Sequence, residues 1–233
     1  MKPPIIILHG WGLKGSIYKE LADLLRKKKY SVFFPNMPGF AAEPLKNTSM
    51  NLDSYVEFVR NFAKEKKVIK PIIIGHSFGG RIALKYAWKY PMEVSKIILT
   101  GAPIIRHITL RGKIGYMFAI TIGRIFSVLP QNLKNKTRKA LYFAIGEWDY
   151  YKSGPLKQVF ENIINEDLTQ YAKEVQVPVY LIWGVLDKLT PVSDVERIKK
   201  LNSDIKSVIV ENYGHKLPYE NPHLFVKVME TFL

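Results

Sequence analysis

Apolar positions along the chain follow two periods. Short runs that are apolar almost throughout, bounded by turn formers, occur at Ile5–Leu8, Ser31–Phe34, Ile72–Ile74, Lys96–Thr100, Val179–Trp183 and Ser207–Val210. A strand with one wet face would alternate, so such runs predict strands covered on both sides. Between them lie longer segments whose apolar residues recur three and four apart: Ile17–Lys28, Leu52–Lys66 with Asn51 as N-cap, Phe78–Lys89 stopped by Pro91, and Val192–Leu201 opened by Pro191. Strand and helix in alternation predict an α/β fold with six parallel strands and helices on both faces. The alternation lapses at 103–167, a stretch rich in Tyr, Phe, Ile and basic residues. The expected organisation is therefore a core of residues 1–102 and 168–233 with a helical insertion at 103–167, where a lid or substrate-binding segment belongs.

Length and composition narrow this picture. The 233 residues, 47% of them hydrophobic, suit one such domain. With no cysteine, disulfides, thiolate metal sites and a cysteine nucleophile are excluded. Met1, Lys2, Pro3 and Pro4 lead straight into a short strand, without a signal-peptide core, and the apolar stretch 114–123 is about half the roughly 20 residues a membrane span needs. A cytoplasmic location without a membrane span is expected. The net charge of +15 is uneven, since residues 171–233 carry eight charges of each sign. The runs Arg26–Lys29 and Lys64–Lys67 fall where helices should end, and cations there complement the helix dipole. No nucleic-acid partner is expected from them.

Two glycine-rich turns hold the candidate chemistry. The stretch IIILHGWGLKGS places Gly10, Gly12 and Gly15 in the spacing G-x-G-x-x-G, which a dinucleotide pyrophosphate would use. That reading wants an acidic residue at the end of the next strand, where SVFFPNMPGF offers Pro35 and Asn36. The second turn, GHSFGG, contains G-x-S-x-G from Gly75 to Gly79 between a strand and a helix, the setting of a serine nucleophile elbow at Ser77. A serine hydroxyl needs a base, and the base an orienting acid. Of the five histidines, His76 should diverge from its neighbour Ser77, His9 belongs to the first glycine loop, His107 to the insertion and His223 to the last helix. His215 stands in the turn NYGHKLP just past the last strand, and Asp187 follows the strand VYLIWG by a short loop. Both loops lie at the carboxyl edge of a parallel sheet, facing the same crevice as Ser77.

The motifs HGWG, PGF, GHSFGG, WGVLDKLTP and GH, with the order Ser77, Asp187, His215, resemble the capped serine carboxylesterases of the α/β-hydrolase superfamily. Within it the chain is similar to the pimeloyl-acyl carrier protein methyl ester esterases and the meta-cleavage product hydrolases. The resemblance implies an α/β-hydrolase core whose sheet lacks the first two strands of larger members. It implies Ser77, Asp187 and His215 as catalytic residues, the backbone N–H groups of Trp11 and Phe78 as an oxyanion hole, and neither metal nor organic cofactor. Relatives usually carry Asp in place of Asn36 and a small or hydroxyl residue in place of Glu43. Aromatic residues of the insertion would complete an apolar acyl pocket, for which Phe40, Phe118, Tyr142, Trp148 and Leu189 are the candidates. The expected substrate is a small to medium acyl ester. Cleavage of a C–C bond, hydrolysis of a methyl ester on an acidic carrier protein, and a non-catalytic receptor on the same fold are the alternatives. The carrier as partner rests on the basic insertion, with Arg106, Arg111, Lys113, Arg124, Lys134, Lys136, Arg138 and Lys139.

Overall fold

A computed structural model of the chain describes residues 2–106 and 156–233. Six parallel strands form one sheet in the order β2-β1-β3-β4-β5-β6: β1 Ile5–Leu8, β2 Val32–Phe33, β3 Ile72–His76, β4 Lys96–Thr100, β5 Val179–Gly184 and β6 Lys206–Val210. Alternate residues of one strand enter opposite cores, as a period of two requires. Ile6, Leu8, Ile73, Ile97, Leu99, Leu181 and Trp183 face one side; Ile5, Ile7, Ile72, Ile74, Ile98 and Ile182 face the other. Both sets are apolar because both faces are covered.

The first core is closed by α2 (Leu52–Glu65), α3 (Phe78–Lys89), α5 (Thr169–Glu174) and α6 (Ser193–Leu201), the second by α1 (Lys19–Lys27) and α7 (Pro222–Met229). Helix α2 begins as its sequence predicts, with Asn51 Oδ1 accepting from Ser54 N and Ser54 Oγ accepting from Asn51 N. The first helix starts later than expected. Gly15–Tyr18 form a 3-10 turn, and α1 opens only at Lys19. The predicted strand 31–34 contracts to Val32 and Phe33, an edge strand paired on one side only, through Ile5 and Ile6.

Of the expected insertion, 103–106 and 156–167 are described; the rest lies outside the described residues. The return stem carries α4 (Lys157–Ile164), whose Val159 and Ile163 join the first core. Arg81, buried on α3, ties both stems down. Its guanidinium donates to Pro103 O at 2.5 Å on the outgoing stem, and to Ile163 O at 2.7 Å and Glu166 O at 2.6 Å on the returning one. One turn on, the buried Lys85 donates to Glu166 at 2.6 Å and to Asp53 at 2.7 Å. Helix α2 and both stems are thereby fixed to α3, the helix that follows Ser77.

Candidate active site

Ser77 links β3 to α3 in a turn that strains its backbone, with φ 53° and ψ −116°. The strain is held from three sides. Ser77 N–H donates to Thr100 O at 2.9 Å, and Ser77 O accepts from Gly80 N at 2.9 Å and Arg81 N at 3.3 Å. A Cβ on Gly79 would stand 2.2 Å from Leu8 O, so the turn can press against β1 only with glycine there. The side chain of Ser77 is left half-buried at the carboxyl edge of the sheet.

Asp187, in the turn after β5, is buried and fully engaged. Its Oδ1 accepts from Leu189 N and Thr190 N, both at 2.9 Å, and its Oδ2 from Thr190 Oγ1 and His215 Nδ1, both at 2.8 Å. Burial pushes this carboxyl up, but the hydrogen bond and charge of His215 and the donors of Thr190 outweigh it and hold it below the usual carboxylate range. Trp183 Nε1 donates to Thr190 O at 2.8 Å and fixes the far side of the same turn.

His215 lies in the turn after β6, half-buried, with Nδ1–H on Asp187. Leu186 N donates to Tyr213 O at 2.8 Å, so the acid-bearing and imidazole-bearing loops are joined directly. Beneath the ring runs Gly101, with φ +56°, at the end of β4. A Cβ there would stand 2.7 Å from both Cε1 and Nδ1 of His215. Ser77 is bonded to Thr100 and His215 lies on Gly101, the next residue, so both are placed at the carboxyl end of β4. Among the described residues no hydrogen bond joins the two, and such contacts commonly tighten only with substrate bound.

The HGWG loop follows β1 and lies against this edge. His9 is buried; its Nε2 accepts from Met37 N at 2.9 Å and its Nδ1–H donates to Gly10 O at 2.9 Å. Burial lowers its pKa and keeps it neutral. The indole of Trp11 packs edge-on against Phe40 at 4.9 Å, Phe78 at 5.3 Å and Phe160 at 4.9 Å. Phe78 opens α3, so its N–H has no carbonyl one turn back within the helix, and it points from the positive end of the helix dipole. The third glycine of the G-x-G-x-x-G spacing has a packing role: a Cβ on Gly15 would stand 2.2 Å from Phe34 O. Asn36 accepts from Gly15 N at 2.8 Å and ties this loop to the end of β2.

Of the expected pocket residues, Phe40 is buried beside Trp11, while Leu189 serves Asp187 through its N–H and leaves its side chain 67% exposed. Phe118, Tyr142 and Trp148 lie outside the described residues. Unforeseen from the sequence are Thr190, which feeds Asp187 two donors; Gly101, legible only as a glycine after a strand; Phe160, from the return stem; and Tyr18, whose hydroxyl reaches His76 Nδ1 at 2.7 Å. Among the described residues no group of His, Cys, Asp and Glu could hold a metal ion, and no helix is long and apolar enough to cross a membrane.

Residues 3–132 match the sequence profile of the alpha/beta hydrolase fold. The chain belongs to that family. Among relatives of this α/β hydrolase is a pimeloyl-[acyl-carrier protein] methyl ester esterase of Wigglesworthia glossinidia brevipalpis, 26% identical, with 98% of this chain and 93% of that protein covered. Solved structures of like fold include an esterase from Exiguobacterium antarcticum, with a TM-score of 0.74 at 18% identity over 99% of this chain and 91% of that one. A meta-cleavage product hydrolase, CumD, has a TM-score of 0.72 at 21% identity over 100% of this chain and 91% of that one.

Proposed function

We propose that this α/β hydrolase is a serine carboxylic ester hydrolase. The observation that carries the reading is the 2.8 Å pair of His215 Nδ1 and Asp187 Oδ2 set at the edge where the strained Ser77 turn exposes its hydroxyl. In this mechanism His215 Nε2 takes the Ser77 proton as Oγ bonds to the acyl carbon. Asp187 holds the ring by Nδ1–H and stabilises the imidazolium. The N–H groups of Trp11 and Phe78 meet the oxyanion of the tetrahedral intermediate. Its collapse breaks the bond to the alcohol oxygen, which leaves with the proton from His215, and water then releases the acid from Ser77 by the same steps in reverse order. The ring wall of Trp11, Phe40, Phe78 and Phe160 supports an acyl group of small to medium size. Nothing in this scheme calls for a metal or an organic cofactor.

The test is turnover of p-nitrophenyl acetate, butyrate and octanoate, beside a vinylogous diketone, by wild type, Ser77→Ala and His215→Ala. Each substitution should lower ester turnover by about three orders of magnitude or more with a cooperative melt retained. Ser77→Ala with a tenth of wild-type activity or more would refute the reading, and preference for the diketone would reassign the protein to C–C cleavage.

A carrier-borne methyl ester is a second reading, favoured by the esterase of Wigglesworthia and by the basic residues of 103–167. Attraction to an acidic carrier should make kcat/KM fall steeply with salt for the carrier-borne ester and leave p-nitrophenyl butyrate unaffected. Parallel salt curves for both substrates would exclude it.

A further inference from the structure

His76, next to Ser77, has no part in the chemistry above, yet it is buried and both its ring nitrogens are engaged. Its Nε2 lies 2.8 Å from the backbone carbonyl of His215, and its Nδ1 lies 2.7 Å from the hydroxyl of Tyr18. A carbonyl can only accept, so Nε2 carries the hydrogen. Nδ1 then accepts, and Tyr18 O–H is the donor. One directed chain therefore runs from Tyr18, in the turn that follows the HGWG loop, through His76 to the carbonyl of His215.

The surroundings permit no other orientation. The His76 ring packs against His215 with centroids 4.8 Å apart and edge-on against Tyr219 at 5.7 Å, while a Cβ on Gly10 would stand 3.1 Å from its Nδ1. We propose that His76, oriented by Tyr18, is a positioning residue that holds the His215 backbone in register with Ser77 and the HGWG loop. Ser77 and His76 are consecutive, so a displacement of the nucleophile carries the strut with it. Asp187 fixes the imidazole from one end, and His76 fixes the main chain from the other. Tyr18 selects the His76 tautomer, since a phenol donating to Nδ1 leaves Nε2–H as the donor to His215.

The strut is also insensitive to pH. Burial, reinforced by the neighbouring His215, drives the His76 imidazolium down to about 3. The titratable groups around His215 are Asp187 on its Nδ1, His76 against its ring, and, beyond His76, Tyr219, Tyr18 and His9. Loosening the His215 main chain weakens the bond to Asp187 and so disturbs the imidazole that the chemical step needs, which lowers kcat rather than raising KM.

This inference rests on the serine-esterase reading, and its test separates the two. Tyr18→Phe keeps the ring and deletes the donor; His76→Leu fills the space and cuts both bonds; His76→Gln returns an N–H donor at the reach of Nε2. Steady-state kinetics on p-nitrophenyl butyrate from about pH 5 to 9 would be measured for each, beside Ser77→Ala and with melting curves. Tyr18→Phe and His76→Leu should each lower kcat about 10- to 100-fold, with KM within about threefold. The double variant should be no worse than His76→Leu, because both cut one chain, and His76→Gln should recover most of kcat. Where His76→Leu fails to fold, Tyr18→Phe carries the test. A folded Tyr18→Phe with kcat within about threefold of wild type would overturn the strut while inactive Ser77→Ala upholds the esterase. An active Ser77→Ala would remove the esterase reading itself.

Discussion

Gly101 provides the sharpest test of the site geometry, because replacing it with alanine adds one carbon at a known place. That carbon would stand 2.7 Å from Cε1 and Nδ1 of His215 and 3.2 Å from Asp187 Oδ2. Carbon and nitrogen centres rest about 3.5–4.0 Å apart, so the imidazole must retreat by about 1 Å. A retreat of that size stretches the 2.8 Å bond to Asp187 beyond hydrogen-bond range. A misplacement of about 1 Å costs on the order of 100-fold in turnover, or about 3 kcal/mol of barrier. The backbone adds a separate cost: φ of +56° is left-handed, which costs alanine about 1–2 kcal/mol of stability. Gly12→Ala separates the two costs, since Gly12 has φ +71° with no atom within 4 Å of an added Cβ. It should lose stability alone. Kinetics on p-nitrophenyl butyrate and denaturant unfolding of both variants decide the matter. If Gly101→Ala kept kcat/KM within about threefold of wild type while folded, the imidazole would not be held where the structure puts it, and the reasoning fails.

Two other expectations follow from the same geometry. His76 is held neutral by burial, with its pKa near 3, and burial lowers His9 as well, so below about pH 6.5 the unfolded chain binds protons that the folded chain refuses. Stability should be full above that pH and fall by about 1.4 kcal/mol per pH unit for each such histidine. Asp187, held below its usual range, adds a further loss only once pH falls through the carboxylate range. Urea unfolding at several values between pH 7 and 4 should show this slope, and His76→Gln should remove about one proton's share; an unchanged slope would refute the burial argument. For Trp11, the ring wall predicts that Trp11→Ala raises KM and relaxes the preference for acyl length, whereas Trp11→Pro, lacking the N–H, lowers kcat about 100-fold or more. Equal kcat losses in both variants would shift the role from the backbone to the ring.

Much of this was readable along the chain because period and punctuation are local. Strands β1 and β3 through β6 lie where uniformly apolar runs predict them, and α3 begins and ends at the predicted Phe78 and Lys89. The misfits are local too: β2 shortens to the two residues that pair with Ile5 and Ile6, and α1 starts late, after a 3-10 turn whose Tyr18 turns inward to reach His76. That Ser77, Asp187 and His215 share one edge was legible because they lie at or shortly after the ends of β3, β5 and β6, and parallel strands end at one edge. What stayed hidden depends on contacts far apart in sequence. His76 shares the face of Ile72 and Ile74, as the period of two requires, but its partners lie 58 and 139 residues away. Arg81 and Lys85, two cations four apart on α3, are both buried under a stem that returns some eighty residues later.

The double grip of Arg81 has an engineering consequence. The chain leaves the core at Pro103 and re-enters at Ile163 and Glu166 on a single guanidinium, so the two ends of whatever lies between are held close irrespective of its length. Loop-closure entropy grows only as the logarithm of length, about 0.6 kcal/mol per doubling. The two stems thus form a socket whose grip does not depend on how much chain lies between them. Inserting or deleting residues between 107 and 155 should cost the sheet little, provided Arg81 and the carbonyls it holds are kept.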